Sequence, residues 1–356
     1  MALLPGVLMS AGVAAVATAL GRLVPVMGAP VFGVALGLVS GVVQRNRSQH
    51  AHFQPGIAFT SRTVLQLSIV VLGSGLSLTQ VARTGLSSLP VLIGTLSLAL
   101  LVAWGAGQLL GIGRDLRTLI GVGTGICGAS AIAAASAVIG AAEAEVAYAI
   151  STIFAFNVIA VLTYPTIGHL LGMSQHAFGL WSGTAINDTS SVVAAAYTYG
   201  LAAGNFGVVV KLTRTLMIIP ISIALAVRTR RREGAVAGAT ELALTAVERL
   251  DDVDAKTILE QPVRSRLRIS HMVPWFLIGF LLASTLNTFG GVPPAVHSPL
   301  STLSLFLITM ALSAIGLSTR PRQLRNAGLR PLFLGAILWA TVGISSLLLQ
   351  AATGVH

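Results

Sequence analysis

The chain has 356 residues, of which 54% are hydrophobic and only 9% are charged, and its formal net charge is +11. Soluble domains carry about 25% charged residues, so the composition excludes an ordinary soluble protein and indicates an all-α polytopic membrane protein. Nearly all arginines fall between apolar segments, where they set membrane topology, so the basic balance does not indicate nucleic-acid binding.

Apolar runs separated by helix breakers predict about eleven membrane-spanning helices. The first is expected to be retained and not cleaved as a signal peptide, because it lacks a basic leader and Arg22 stands where a cleavage site would fall. The predicted spans are residues 5–24, 28–43, 60–78, 88–110, 117–139, 146–168, 177–200, 205–227, 272–288, 300–318 and 331–351.

Four connections carry most of the arginines, and all four fall on one side if the spans alternate. They are residues 44–59, 111–116, 228–271 and 319–330. This count predicts a cytoplasmic N-terminus and a C-terminus outside. Residues 1–356 are expected to form a single integral membrane transporter domain, with 228–271 as a cytoplasmic linker between spans eight and nine.

Two apolar segments are interrupted by a similar run of glycine and polar residues, GTGICGAS at 123–130 and GTAINDTS at 183–190. We call these two runs the interrupted frames. Polar, glycine-rich interruptions are costly in hydrocarbon unless they line a cavity, as in the broken helices of secondary transporters. Alternate counting makes these two segments parallel. Either one segment is re-entrant, or the two converged on similar chemistry.

A second pair of similar segments is LGSGLS at 72–77 and SAIGLS at 313–318, each followed by Gly-Leu and a proline-led apolar run. By the same count, these spans cross in opposite senses, which is what an inverted-topology duplication requires. Chance similarity between small-residue segments is the alternative.

Asp188 is the central functional candidate, because a carboxylate at membrane depth is expensive and marks a functional site by default. Lys211 and Arg214 share one helix face, and Asp188 is their expected counter-charge; the alternative is that both snorkel to the membrane surface. The substrate-binding candidates are Gly123, Thr124, Cys127, Gly128, Ser130, Asn187, Thr189, Ser190, Lys211 and Arg214. For the glycines and hydroxyl residues, the alternative is close helix packing and interhelical hydrogen bonding.

Other side chains are expected to carry no chemistry. Cys127 has no histidine nearby in sequence and is expected to fill space, so we predict no enzymatic activity. Its being the only cysteine excludes an intrachain disulfide, and the histidines lack metal-binding spacing, so we expect no metal and no cofactor. Glu143 and Glu145 are expected at a hydrated rim, at the outer end of the fifth span.

Four segments together resemble the YeiH-type family of bacterial inner-membrane proteins, to which sulfate export is ascribed. These segments are GTGICGASAIAAA, GTAINDTSSVVAAAYTYG, VVKLTRTLMIIP and LITMALSAIGLSTRPRQLRNAGLRPLFLG, and the resemblance covers nearly the whole chain. Many members resemble a variant with His-Glu in place of Asn187-Asp188. The resemblance implies an inverted-repeat core with two broken helices crossing at the midplane, packed against a panel domain through which such transporters can form homodimers.

The same fold group includes cation/proton antiporters, in which an Asn-Asp or Asp-Asp pair beside a basic residue handles ion exchange. Asn187, Asp188 and Lys211 resemble that arrangement. We therefore expect a secondary active transporter of the inner membrane that exports a small anion of the sulfate, sulfite or sulfonate type, with a proton as coupling ion at Asp188. The alternative is a sodium or proton antiporter that uses Asn187 and Asp188 as a cation site.

Overall fold

The computed structural model describes residues 3–23, 28–44, 50–229, 231, 275–318 and 329–354. These residues are almost entirely helical, and no strand occurs among them. Within the described ranges, seven helices are long and apolar enough to cross a membrane: Leu4–Leu23, His52–Gly73, Leu78–Leu109, Glu143–Leu170, Leu201–Thr229, Ala295–Ser318 and Leu329–Thr353. The predicted class, an all-α polytopic membrane protein, is confirmed. Most of the predicted linker 228–271, namely residues 230 and 232–271, lies outside the described residues.

In chain order, the helices are α1 (Leu4–Leu23), α2 (Gly28–Gln44), α3 (His50–Phe59), α4 (Leu65–Gly73), α5 (Leu78–Leu109), α6 (Arg114–Gly125), α7 (Ala129–Ile139), α8 (Glu143–Leu170), α9 (Gln175–Ala185), α10 (Thr189–Tyr199), α11 (Leu201–Thr215), α12 (218–229), α13 (Trp275–Thr288), α14 (Pro294–Ser318) and α15 (Leu329–Thr353). A π-helical segment, Thr60–Val64, joins α3 to α4 without a break.

Two of the predicted spans, 117–139 and 177–200, are not continuous helices. Each consists of two short helices, α6 with α7 and α9 with α10, separated by a break of three residues. At 1.5 Å per residue, each of these helices measures about 16–18 Å, roughly half of a hydrocarbon core. The breaks fall inside the two interrupted frames of the sequence.

Helices α9 and α10 form a hairpin. The rings of Phe178 and Tyr199 stack with their centroids 3.9 Å apart, and the Tyr199 hydroxyl donates to the Met173 carbonyl at 2.5 Å. The end of α10 therefore lies beside the start of α9, whereas a straight 24-residue element would separate them by about 36 Å. The chain turns back at residues 186–188, and we call α9–α10 hairpin 2.

Helices α6 and α7 form a second hairpin, hairpin 1, that turns at residues 126–128. Gly113, at the start of α6, lies against the Glu145 side chain at the start of α8, and Gly123 near the end of α6 packs against Ile153 of α8. Helices α6 and α8 therefore run parallel, and α7 must return to the end of the bundle from which α6 started. Gly123 also packs against Ile132 on the returning helix.

The two hairpins enter the bundle from opposite ends. Hairpin 1 starts where α5 finishes, and hairpin 2 starts where α8 finishes, so their tips meet in the interior. The parallel arrangement from alternate counting is therefore wrong: both segments are re-entrant, and α6 and α9 approach the tips from opposite directions. Glu143 and Glu145, expected at the outer end of the fifth span, lie instead beside the start of α6, because α7 returns to the end where the hairpin began.

Basic side chains gather at the end where hairpin 1 enters, which we call the arginine-rich end. Arg114 and Arg117 stand in the first turns of α6, Arg228 lies at the end of α12, and the Arg330 guanidinium approaches Gly111. Burial of apolar faces holds α5, α8, α11 and α15 around the two hairpins. A second group, α1–α4 with α13 and α14, contacts the first group through α10 on α2 and α13 on α5, and through an apolar cluster that α10 and α11 share with α4, α13 and α14.

Candidate functional site

The site is formed where the tips of the two hairpins meet. A Cβ placed on Gly128, at the turn of hairpin 1, would lie 3.5 Å from the Asp188 Cβ at the turn of hairpin 2. Gly128 has φ of +71°, a conformation that glycine adopts without steric cost. The two frames that resemble each other in sequence are thus in contact.

Lys211 of α11 connects the two tips. Its side chain is fully buried, and Nζ donates to the Ile126 carbonyl of hairpin 1 and the Ile186 carbonyl of hairpin 2, both at 2.9 Å. Hydrogen bonds from an ionised donor contribute about 1.5–3 kcal/mol each. One side chain therefore stabilises the approach of both turns at once.

Arg214 lies one turn further along α11 and is also fully buried. Its Nε donates to the Gly125 carbonyl at 2.6 Å, its Nη2 to the Thr124 carbonyl at 2.8 Å, and its Nη1 to the Thr184 carbonyl. These carbonyls stand in the last residues of α6 and α9, where a helix lacks intrahelical donors and carries the negative end of its dipole. The helix ends thus compensate for the burial of both cations.

Asp188 serves a local role in this conformation. Its Oδ2 accepts from the Ser190 backbone N–H at 3.0 Å and from the Ser190 hydroxyl, so Asp188 is the N-cap of α10. The expected pairing of Asp188 with Lys211 or Arg214 is therefore replaced: both cations donate to backbone carbonyls, and the carboxylate caps a helix. Together these three side chains carry a formal charge of +1.

The two inward-facing helix starts differ. Helix α10 is capped by Asp188, whereas the N-cap of α7 is Gly128, which offers no side-chain bond. Ala129 and Ser130, the first residues of α7, are exposed. Uncapped N–H groups at a helix start attract an anion through both hydrogen bonding and the helix dipole.

Asn157 of α8 belongs to the site and was missed from the sequence. Its Oδ1 accepts from the N–H groups of Asn187 at 3.2 Å and Asp188 at 3.3 Å, so it holds the turn of hairpin 2. The only signal was one amide side chain in an otherwise apolar span, which helix packing explains equally well. The Asn187 Oδ1 is buried and has no hydrogen-bond partner in the described part of the chain.

The structure brings all the predicted site residues to the two tips and the adjacent part of α11. Thr124, Cys127 and Asn187 are buried, whereas Thr189 and Ser190 are half-buried. Gly123 packs against apolar side chains of α7 and α8, so its visible role is close packing. Among the described residues, no group of three or more His, Cys, Asp or Glu side chains is placed to hold a metal.

Comparison with known proteins agrees with the end-to-end resemblance. The sequence profile of a family described as "Conserved hypothetical protein 698" matches residues 5–335. The chain belongs to this family.

The relatives are similar over nearly their whole length. A UPF0324 membrane protein of Streptococcus agalactiae is 40% identical over 358 residues, covering 99% of this chain and 98% of that protein. A second, from Streptococcus pyogenes serotype M6, is 42% identical with the same coverage. A third, from Fusobacterium nucleatum, is 37% identical over 94% of both chains. Their names place them in a membrane and state no substrate, and no solved structure matches the chain.

Proposed function

We propose that the protein is a secondary active transporter of the bacterial inner membrane that exports a small anion of the sulfate, sulfite or sulfonate type, with proton coupling. The observation that carries this proposal is the buried positive centre at the hairpin tips. Lys211 and Arg214 exceed the single carboxylate of Asp188 by one charge, and the start of α7, where Gly128 supplies no side-chain cap, adds its partial positive charge. A positive centre of this kind attracts an anion and repels a cation.

The anion would bind at the start of α7, next to Ser130 and opposite Thr189 and Ser190. Backbone N–H groups of α7 and these hydroxyls would donate to its oxygens. Lys211 and Arg214 would act through their charge and by fixing the tips, because both side chains donate to backbone carbonyls. In this proposal the two cations supply charge complementarity to the anion, and Arg214 is the better suited of the two to bind an oxyanion through two hydrogen bonds.

Asp188 would couple the anion to a proton. When its carboxylate is ionised, it offsets one of the two cations, and the formal charge of the three side chains is +1. When it is protonated, that charge rises to +2 and anion binding becomes stronger. Binding of the proton and binding of the anion are therefore linked, and each favours the other.

Transport would proceed by alternating access, with the core moving against a panel. In this proposal, α5–α12 and α15 form an inverted-repeat core, in which one hairpin covers the site from each side of the membrane. Helices α1–α4, α13 and α14 form the panel, and two copies of the protein would dimerise through it. The arginine-rich end faces the cytoplasm. Each re-entrant hairpin replaces one predicted crossing, and removing two crossings leaves an odd number of them. The N-terminus then lies inside and the C-terminus outside, as predicted.

The test is uptake of labelled sulfate into proteoliposomes under imposed pH and sodium gradients, with sulfite and taurine-like sulfonates as competitors. We expect saturable anion flux that depends on pH in the wild type and loses this dependence in Asp188→Asn. Asparagine is also a good N-cap residue, so this variant removes the titratable group while retaining the cap of α10. Unchanged pH dependence in Asp188→Asn would show that another group couples the proton.

The second candidate is a sodium or proton antiporter, favoured by the unpartnered Asn187 Oδ1 beside Asp188, since both offer oxygen ligands. The same proteoliposomes distinguish the two functions. Sodium-driven proton movement that requires no anion would establish the antiporter and refute anion transport.

A further inference from the structure

A cavity of about 210 Å³ opens at the arginine-rich end, between α5, α6 and α12. Three arginines, Arg114, Arg117 and Arg228, line it together with the Thr118 hydroxyl. The cavity is distinct from the hairpin tips, because its lining includes none of the tip residues and ends on α6 at Val122, which belongs to a buried apolar cluster.

The side of the cavity that carries the arginines is held in place by close packing of α6 on α5. A Cβ placed on Gly107 of α5 would lie 2.8 Å from the Arg117 Cβ and 3.1 Å from its Cδ. The aliphatic part of Arg117 therefore packs directly on α5, which holds its guanidinium at the cavity. Arg228 of α12 also lines the cavity. Asp115 lies in the first turn of α6 but does not line the cavity, so the lining carries an excess of positive charge.

The other side of the cavity is apolar and continues onto the outer surface of the bundle. Leu100, Trp104 and Leu225 contribute to the wall, and Trp104 is 57% exposed. Beside them, Leu101 on α5 and Ile223 on α12 are also exposed, as expected for a surface in contact with lipid chains. Tryptophan is enriched at the headgroup level of membrane proteins. The cavity thus combines a cationic pocket with an apolar groove that opens sideways.

We propose that this cavity binds the anionic phosphate headgroup of a phospholipid, whose acyl chains lie along α5 and α12. Guanidinium groups bind phosphate oxygens with two parallel hydrogen bonds, and Arg117 of α6 and Arg228 of α12 both line the cavity that would hold the headgroup. A soluble anion would use the same guanidinium groups but would gain nothing from the apolar wall. The inference does not depend on what the hairpin tips transport.

The test measures lipid retention by the detergent-purified full chain in native mass spectrometry, with dioleoylphosphatidylglycerol or dioleoylphosphatidylcholine added. We expect the wild type to retain the anionic lipid selectively. Since each arginine near a membrane contributes about a fivefold gain for anionic lipid, Arg117→Gln combined with Arg228→Gln should lower retention by about 25-fold. Arg83→Gln is the matched control, because it removes one charge near the opposite end of α5 and should leave retention unchanged.

Several outcomes would overturn the proposal. Equal retention of the two lipids, unaltered retention in the double variant, or an equal loss in Arg83→Gln would each show that the cavity is not a specific headgroup site. Inorganic phosphate or glycerol 3-phosphate that binds as tightly as the lipid would identify a soluble anion as the ligand. Size-exclusion profiles matching the wild type exclude misfolding as the cause of any loss.

Discussion

Gly183 stands at the closest approach of hairpin 2 to α11, one turn before the tip. A Cβ placed on it would lie 2.8 Å from the Val210 Cβ and 2.9 Å from the Gly207 carbonyl oxygen. Ordinary van der Waals contact for a Cβ begins near 3.4 Å. Gly183→Ala must therefore separate α9 from α11 by about half an ångström, since the contacting atoms belong to backbone and to a stiff β-branched side chain.

This displacement affects both stability and the site. Overpacking of a fitted interior costs about 1–3 kcal/mol. Since Val210 immediately precedes Lys211, the same movement lengthens the 2.9 Å bond from Lys211 Nζ to the Ile186 carbonyl beyond normal hydrogen-bond distance. With about 2–4 °C per kcal/mol for chains of 150–250 residues, we expect the Tm of Gly183→Ala to fall by about 2–12 °C, together with a loss of anion flux.

Gly105→Ala in α5 is the matched control. The same methyl group there meets nothing within 4 Å, and alanine is favoured over glycine in a helix by about 1 kcal/mol. Its Tm should be equal to or above that of the wild type. Thermal unfolding in detergent, followed by intrinsic fluorescence, compares the three proteins. A Gly183→Ala protein with wild-type Tm and flux would refute the close packing of α9 on α11 on which the geometry of the site depends.

Two further predictions concern the tips. Asn157→Ala leaves the buried N–H of Asn187 and the partly buried N–H of Asp188 without this acceptor, at about 1–3 kcal/mol for a buried group. Its Tm should therefore fall clearly below that of Asn157→Asp, which retains a carboxyl oxygen in the same place; equal Tm values for the two variants would argue against this contact. Cys127, the only cysteine, is 3% exposed, so a methanethiosulfonate reagent should label the wild type slowly and Gly183→Ala faster, whereas Gly105→Ala should label at the wild-type rate.

The sequence predicted where the membrane helices are interrupted, but not the direction that the chain takes afterwards. The breaks at 126–128 and 186–188 fall within the two frames identified from glycine and polar residues. An apolar stretch of 23 or 24 residues has the same composition whether it crosses the bilayer or turns back halfway, so its path depends on tertiary contacts. Stacking of Phe178 on Tyr199 is one such contact, and nothing in the local pattern indicates it.

The residues of the functional site, like the fold, could be predicted only in part from the sequence. Lys211 and Arg214 were identifiable because charged side chains deep in an apolar span are rare. Their hydrogen-bond partners could not be identified, because those partners are backbone carbonyls of two distant segments. Every residue has a backbone carbonyl, so the sequence does not show which ones accept these bonds. Asp188 was expected to pair with the cations for the same reason: it was the only acidic side chain that the sequence placed at comparable depth.

The buried cations and the re-entrant hairpins depend on each other. A helix that stops inside a membrane leaves its last carbonyls without donors, and each unsatisfied group costs several kcal/mol in hydrocarbon. Lys211 and Arg214 supply five hydrogen bonds to such carbonyls, while the carbonyls compensate the cations for lost hydration. Alanine at either position therefore removes the support of both tips as well as a charge. Loss of flux in such variants cannot by itself identify an anion ligand, whereas Asp188→Asn changes the charge of the site and leaves the donors to these carbonyls in place.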